Sequence, residues 1–209
     1  MRLGIFGGTF NPIHFGHLRA AEEVRDELAI DKIIFMPSGN PPLKISGLIE
    51  ASHRYAMTRL ATSSNVNFVV SDLEILKTEK SYTVDTLAQL LNIYPGEELF
   101  FILGLDAFLD IPNWWQPERL SGMVNFVVVT RPGFDPADIG KSPYITRKEG
   151  PGLWVLDSGK KVIQVNITAM DISSTNIRML LKEGKNIKYL LPETVEQYIY
   201  THKLYKVCP

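Results

Sequence analysis

His14 and His17 stand three residues apart in the run Gly7-Gly8-Thr9-Phe10-Asn11-Pro12-Ile13-His14-Phe15-Gly16-His17-Leu18, directly after the short apolar segment from Leu3 to Phe6. Glycines let a backbone approach a ligand closely. A helix N-terminus offers unbonded N–H groups and the positive end of a dipole to anions. Imidazoles at i and i+3 project from one side of a helix. A strand-to-helix turn of this composition is suited to phosphate, with Gly7, Gly8, Thr9, Phe10 and Gly16 as a close-approach backbone and the two histidines as donors. The bland alternative is a tight turn with two incidental histidines, but half of the chain's four histidines fall inside it. A dinucleotide fingerprint does not fit. Gly7 and Gly8 are adjacent, no further glycine occurs until Gly16, and the next apolar run ends Phe35-Met36-Pro37 with no acidic residue to hold a ribose. That argues against hydride transfer with NAD.

A second constellation is Ile172-Ser173-Ser174-Thr175-Asn176-Ile177-Arg178. Ser173 or Ser174 can cap the helix that follows. Its first N–H groups with Ser174 and Thr175 form an anion cradle, and Arg178, one turn on, presents a fork of donors suited to phosphate oxygens. The alternative is an ordinary cap with a solvated arginine. Gly104-Leu105-Asp106 follows a buried apolar run, at the strand end where open α/β sheets bind ligands. Asp106 there can accept from ribose hydroxyls or serve as a helix cap. Trp114 and Trp115 lie in a loop bounded by Pro and Asn; either can stack on a planar ring or pack in the core. Thr83, at a helix start, can offer a backbone N–H to a carboxylate. His53 reads as a helix-start or packing histidine and His202 as a surface one.

Alternating apolar patterns must position these residues. Strands are expected over residues 2–6, 32–36, 68–70, 99–103, 123–130 and 162–165, and helices over 16–28, 51–63, 83–94, 174–183 and 192–202. Thr83 is expected as an N-cap, Gly184 as the stop after one late helix and Pro192 as the first residue of the other. Residues 133–153, rich in Gly, Pro and charge, read as a variable loop. The alternation implies an α/β fold with a parallel sheet and right-handed crossovers, in a single domain over residues 1–209 with a small helical part from about 170.

Of 209 residues, 45% are hydrophobic, which suffices for a sizeable core. The net charge of −1 argues against a nonspecific nucleic-acid binder, so an anionic substrate must be met by local cations or a metal. The lone cysteine, Cys208, allows no intramolecular disulfide, no leader peptide is recognisable and no run is long enough to span a membrane. A reducing cytoplasm is therefore expected, and no membrane partner.

Taken together, GGTFNPIHFGHL, Pro41-Pro42-Leu43-Lys44, His53-Arg54, Ser81-Tyr82-Thr83, Gly104-Leu105-Asp106 with Trp114 downstream, Thr130-Arg131-Pro132-Gly133, ISSTNIR and the closing Leu191-Pro192 to Leu204-Tyr205 resemble the bacterial nicotinate-nucleotide adenylyltransferases, nearly end to end. The first and the ISSTNIR motifs mark the wider HxGH nucleotidyltransferase superfamily; the middle blocks point to this family. Two positions depart from it. Asn11 stands where Asp is frequent, and Leu43 where histidine is usual, which leaves Lys44 as that loop's charged contact. The resemblance implies a Rossmann-like nucleotidyltransferase fold with a doubly wound, mostly parallel sheet. It implies ATP and nicotinate mononucleotide as substrates, giving deamido-NAD and pyrophosphate, with Mg2+ bridging the phosphates and no dedicated protein metal site. His14, His17 and Arg178 would be catalytic. Gly7, Gly8, Thr9, Phe10, Gly16, Gly104, Asp106, Arg131, Ser174 and Thr175 would bind ATP, and Lys44, Thr83, Trp114 and Trp115 the mononucleotide. Nicotinamide mononucleotide or another small phosphorylated acceptor is the alternative within the class, and a non-catalytic nucleotide sensor the alternative outside it. Homo-oligomerisation stays open.

Overall fold

The computed structural model describes residues 1–41, 47–77, 79–130 and 135–205. Lys44 and Arg131, with Leu43, lie outside them. Eight strands form one sheet: β1 (Arg2–Gly8), β2 (Lys32–Pro37), β3 (Phe68–Val70), β4 (Glu98–Gly104), β5 (Asn125–Thr130), β6 (Ile145–Gly150), β7 (Leu153–Leu156) and β8 (Lys161–Asn166). Their order is β3-β2-β1-β4-β5-β8-β7-β6. The pairings from β3 through to β8 are parallel; β7 and β6 run antiparallel at one edge. The order reverses between β1 and β4, and the carboxyl ends of those two strands open the crevice where doubly wound sheets bind ligands.

Seven α-helices occur among the described residues: α1 (Phe15–Glu27), α2 (Ala51–Thr62), α3 (Thr83–Ile93), α4 (Leu105–Leu109), α5 (Pro117–Ser121), α6 (Ser174–Lys182) and α7 (Glu193–Thr201). They cover both faces of the sheet because the strands alternate strictly. Phe6, Phe35, Phe100 and Ile102 face a core completed by Ala21 and Val24 of α1, Met57 of α2, Ile177 of α6 and Ile199 of α7. Ile5, Met36, Phe101 and Leu103 face the opposite core, with Leu87 of α3, Phe108 of α4 and Leu120 of α5. A two-residue period along a strand requires this split.

The sequence reading needs four corrections. Thr83 is the first helical residue of α3, and Tyr82 is its cap without a side-chain bond. Pro192 caps α7 from outside the helix. The short helices α4 and α5 carry too few residues for a periodic signal. The stretch read as a variable loop holds a 3₁₀ turn (Pro136–Lys141) and the β6–β7 hairpin. β6 is mostly exposed, so Ile145–Gly150 has no apolar alternation to read. Pairing to β7 creates it, across a Pro151-Gly152 turn in which Gly152 has φ +67°.

Candidate active site

The carboxyl ends of β1, β2 and β4 open into a cavity of about 1030 Å³. Gly7 and Gly8 end β1, and Thr9 and Phe10 carry the chain out of the sheet along its wall. A side chain on Gly8 would crowd the Phe10 ring at 3.0 Å. Phe10 itself turns through a left-handed backbone, φ 47°, with its ring in the core against Phe6, Phe35 and His17. Any contact Phe10 makes with a ligand is therefore made by its backbone.

α1 begins at Phe15 with His14 as its extended cap. The His14 N–H donates to His17 Nδ1 at 3.3 Å, and the two rings lie 3.7 Å apart. Holding Nδ1 as an acceptor leaves Nε2 as the proton-bearing nitrogen of a neutral His17 ring. His17 lines the cavity, whereas His14 is buried behind it. Gly16 sits between them, and a Cβ there would meet the His14 ring at 3.1 Å. A side chain there would have to push the His14 ring aside by a few tenths of an ångström; no positive φ is involved.

The opposite wall begins at Gly104. A Cβ at Gly104 would meet nothing within 4 Å, so the protein's own packing does not demand glycine there. Asp106 is exposed in the first turn of α4 and lines the same cavity. Trp114 is half-buried; its indole N–H donates to Asp110 at 3.1 Å and its ring meets Phe101 edge-on. Trp115 is 55% exposed and its ring lies 5.6 Å from Tyr82. Thr83 follows Tyr82, at a helix start whose first N–H groups have no intrahelical acceptors. All four line the cavity with Thr83.

Ser173 caps α6, accepting from Asn176 N at 3.1 Å. Ser174 Oγ donates to Pro12 O at 2.8 Å. Arg178 Nη1 donates to Asn11 O at 2.9 Å and Nη2 to Thr175 Oγ1 at 3.2 Å. The two motifs are thus bonded to each other through the backbone of the first, across 162 and 167 residues of sequence. Ser174, Thr175 and Arg178 attach to this turn and do not line the described cavity wall.

Three further residues organise the site; all fall in motifs quoted above, but sequence reasoning gave none of them a role in it. Asn11 donates to Gly47 O at 3.0 Å and accepts from the Tyr205 hydroxyl at 2.8 Å. Burial pushes the Tyr205 phenol well above its ordinary range. Arg54 is fully buried and donates to Thr9 O (2.8 Å), Gly39 O (2.9 Å) and Ile49 O (3.1 Å). Burial pulls its pKa down, and the Tyr205 and Glu74 side chains oppose that only through space. One signal for Arg54 was available. It falls with Met57, Thr58 and Ala61 at i, i+3, i+4 and i+7, on the helix stripe that faces the core. Among the described residues no group of three or more His, Cys, Asp or Glu could hold a metal ion, and no helix is long and apolar enough to cross a membrane.

Residues 5–180 match the family model described as Cytidylyltransferase-like. A curated relative from Thermoanaerobacter sp. (strain X514), named probable nicotinate-nucleotide adenylyltransferase, is 46% identical over 209 residues, covering 99% of this chain and 95% of the relative. One of the same name from Geotalea daltonii is 43% identical, covering 98% of each. The chain belongs to the nicotinate-nucleotide adenylyltransferase family, within the cytidylyltransferase-like proteins. The adenylyltransferase fold extends to distant structures. The nicotinic acid mononucleotide adenylyltransferase of Plasmodium falciparum complexed with NaAD superposes with a TM-score of 0.78 at 23% identity, covering 98% of this chain and 97% of that one.

Proposed function

We propose that this protein joins ATP and nicotinate mononucleotide to give deamido-NAD and pyrophosphate. The observation that carries the reading is a single cavity with a phosphate-type turn at one wall and an aromatic, N–H-bearing wall opposite. Near-full-length identity to relatives of that name supports it. The volume lies at the upper end of small-molecule sites, which suits two substrates held together.

The mononucleotide's phosphate oxygen attacks the α-phosphorus of ATP. A new O–P bond forms, the bond to the β-phosphate oxygen breaks, and pyrophosphate leaves. No protein nucleophile is needed, so the chain's task is positioning and charge stabilisation. His17, lining the cavity at the start of α1, would donate to α-phosphate oxygens, with His14 holding its ring. Arg178, Ser174 and Thr175 would act on the outer phosphates or hold the turn that does. Lys44 and Arg131 would add charge from outside the described residues. Asp106 would accept from ribose hydroxyls beside the bare backbone of Gly104. The pyridine would stack at Trp114 and Trp115. Asp106, Asp110 and Glu74 line the cavity but form no metal-holding group among the described residues, which fits Mg2+ carried on the phosphates and not a protein cage. There it would offset phosphate charge. The two motifs are bonded to each other beside one sheet, which supports reading residues 1–209 as one nucleotidyltransferase domain; the lone cysteine supports a place in the reducing cytoplasm.

Pyrophosphate release from ATP, measured with each mononucleotide in turn, tests the reading. The nicotinate form should be preferred. N–H groups at Thr83 and Trp115 would pair with both carboxylate oxygens, whereas an amide sets an NH₂ against one of them. One unpaired buried donor costs roughly 1–3 kcal/mol, or about one to two decades in kcat/KM. Equal values for the two forms would point to a dual-specificity enzyme. ATP binding with no pyrophosphate release would point to a sensor.

A further inference from the structure

A fully buried arginine is expensive, and among the described residues no carboxylate is bonded to Arg54 to repay that cost. Nε, Nη1 and Nη2 each donate to a backbone carbonyl, of Ile49, Thr9 and Gly39 respectively. Thr9 belongs to the phosphate turn. Ile49 precedes α2. Gly39 follows β2 and leads into Asn40, which exchanges bonds with Ser81: Ser81 N donates to Asn40 O at 2.9 Å and Asn40 N to Ser81 Oγ at 3.3 Å. Ser81 in turn leads into Tyr82 and Thr83 at the start of α3. A continuous hydrogen-bonded path therefore runs from Thr9 at one wall of the cavity, through Arg54, to Thr83 at the other.

Two local features fit this path. In a trans peptide the C=O and the next N–H point in opposite directions. Holding Thr9 O toward Arg54 thus fixes the Phe10 N–H the opposite way, in a stretch of backbone that lines the cavity. At Gly39 a Cβ would run into the backbone carbonyl of Glu74, so glycine is what lets the Gly39 carbonyl reach Arg54. A hydrophobic side chain at position 54 would pack the core at lower cost, but it could not tie these segments together.

We propose that Arg54 is a positioning residue, which sets the separation and orientation of the phosphate-binding turn relative to the wall that begins α3. It touches neither substrate and acts through Thr9 and Gly39. The proposal rests on the adenylyl-transfer reading of the same site. It predicts a loss concentrated in kcat, because misplacing two reactants by about an ångström costs about 100-fold in rate without an equal loss of binding.

The test uses the full chain with Arg54→Lys and Arg54→Gln, assayed well below their melting temperatures, with deuterium exchange followed in parallel. Both variants should lose about 10- to 100-fold in kcat while the KM for ATP moves less than about threefold. Lysine should not rescue, since an ammonium cannot reach three carbonyls in fixed geometry. Exchange should rise in peptides covering residues 7–12 and 37–41 and stay unchanged over β4. A folded variant with unaltered kcat, or with exchange raised evenly throughout, would overturn the proposal. If neither variant folds, Gly39→Ala decides. It keeps Arg54 but displaces its acceptor, so the same kcat and exchange pattern is expected, and wild-type behaviour refutes it. The exchange readout needs no turnover. A wild-type protein that released no pyrophosphate would defeat the adenylyl-transfer reading while leaving the linkage measurable.

Discussion

His17 and Arg178 differ in how the structure holds them, and their substitutions should differ accordingly. His17 has its Nδ1 engaged by the His14 N–H and its ring on the cavity wall. His17→Ala should lower kcat by about 10²–10³ with little change in ATP affinity, the usual cost of one preorganised donor at a developing charge. Steady-state kinetics with calorimetric ATP titration check this; a raised KM with normal kcat would make His17 a ground-state contact. Arg178 grips Asn11 O and Thr175 Oγ1 at once. Arg178→Lys keeps the charge but can satisfy only one of these well, so kcat/KM should fall by at least about tenfold. A fully active lysine variant would show that charge alone matters at that position.

At the scale of elements, α1 does more than present its N-terminus. Glu23, on its third turn, accepts from Thr168 N (2.7 Å) and Thr168 Oγ1 (2.5 Å), tying down the segment that leads into α6. Burial works to raise the Glu23 pKa, but the Thr168 bonds and the charge of Arg19 together outweigh it and hold the carboxyl below its ordinary range. A folded-state pKa that is depressed stabilises the fold above the unfolded value, and the stabilisation is lost as pH falls through the lower folded one. Urea unfolding of the wild type and Glu23→Gln should therefore show a stability gap that closes over the acidic window below about pH 4.3, the ordinary glutamate value. A gap of constant size across that window would mean that Glu23 is not linked to folding.

At the scale of the whole molecule, residues far apart in sequence meet at the first motif. Tyr205, four residues from the last, donates its hydroxyl to Asn11 inside the first motif, and Asn11 in turn holds Gly47. Tyr205→Phe strands the buried Asn11 Oδ1 without its donor. The expected cost is about 1–3 kcal/mol of stability, read as a lower urea midpoint at unchanged slope. An unchanged midpoint would mean that solvent replaces the phenol. The amide also explains the departure at position 11. An aspartate there has no N–H for Gly47 O and would set a carboxylate against that carbonyl.

Much of this protein was readable from its residues in order. The strand-to-helix turn, the ISSTNIR cap and the alternation of strands and helices are local patterns, written in side-chain type and spacing over fewer than fifteen residues. Local dihedral preference and burial periodicity are enough to specify them. The β6–β7 hairpin was hidden because its first strand is exposed and owes its form to a partner. The bond from Ser174 to Pro12, the reach of Tyr205 to Asn11 and the three carbonyls on Arg54 were hidden for the same reason. The Ser174 bond and the Arg54 bonds to Thr9 and Gly39 join a side chain to a distant backbone carbonyl, and the Tyr205 bond joins two side chains 194 residues apart. A backbone carbonyl carries no residue identity to recognise, so only the folded chain decides which donor it meets.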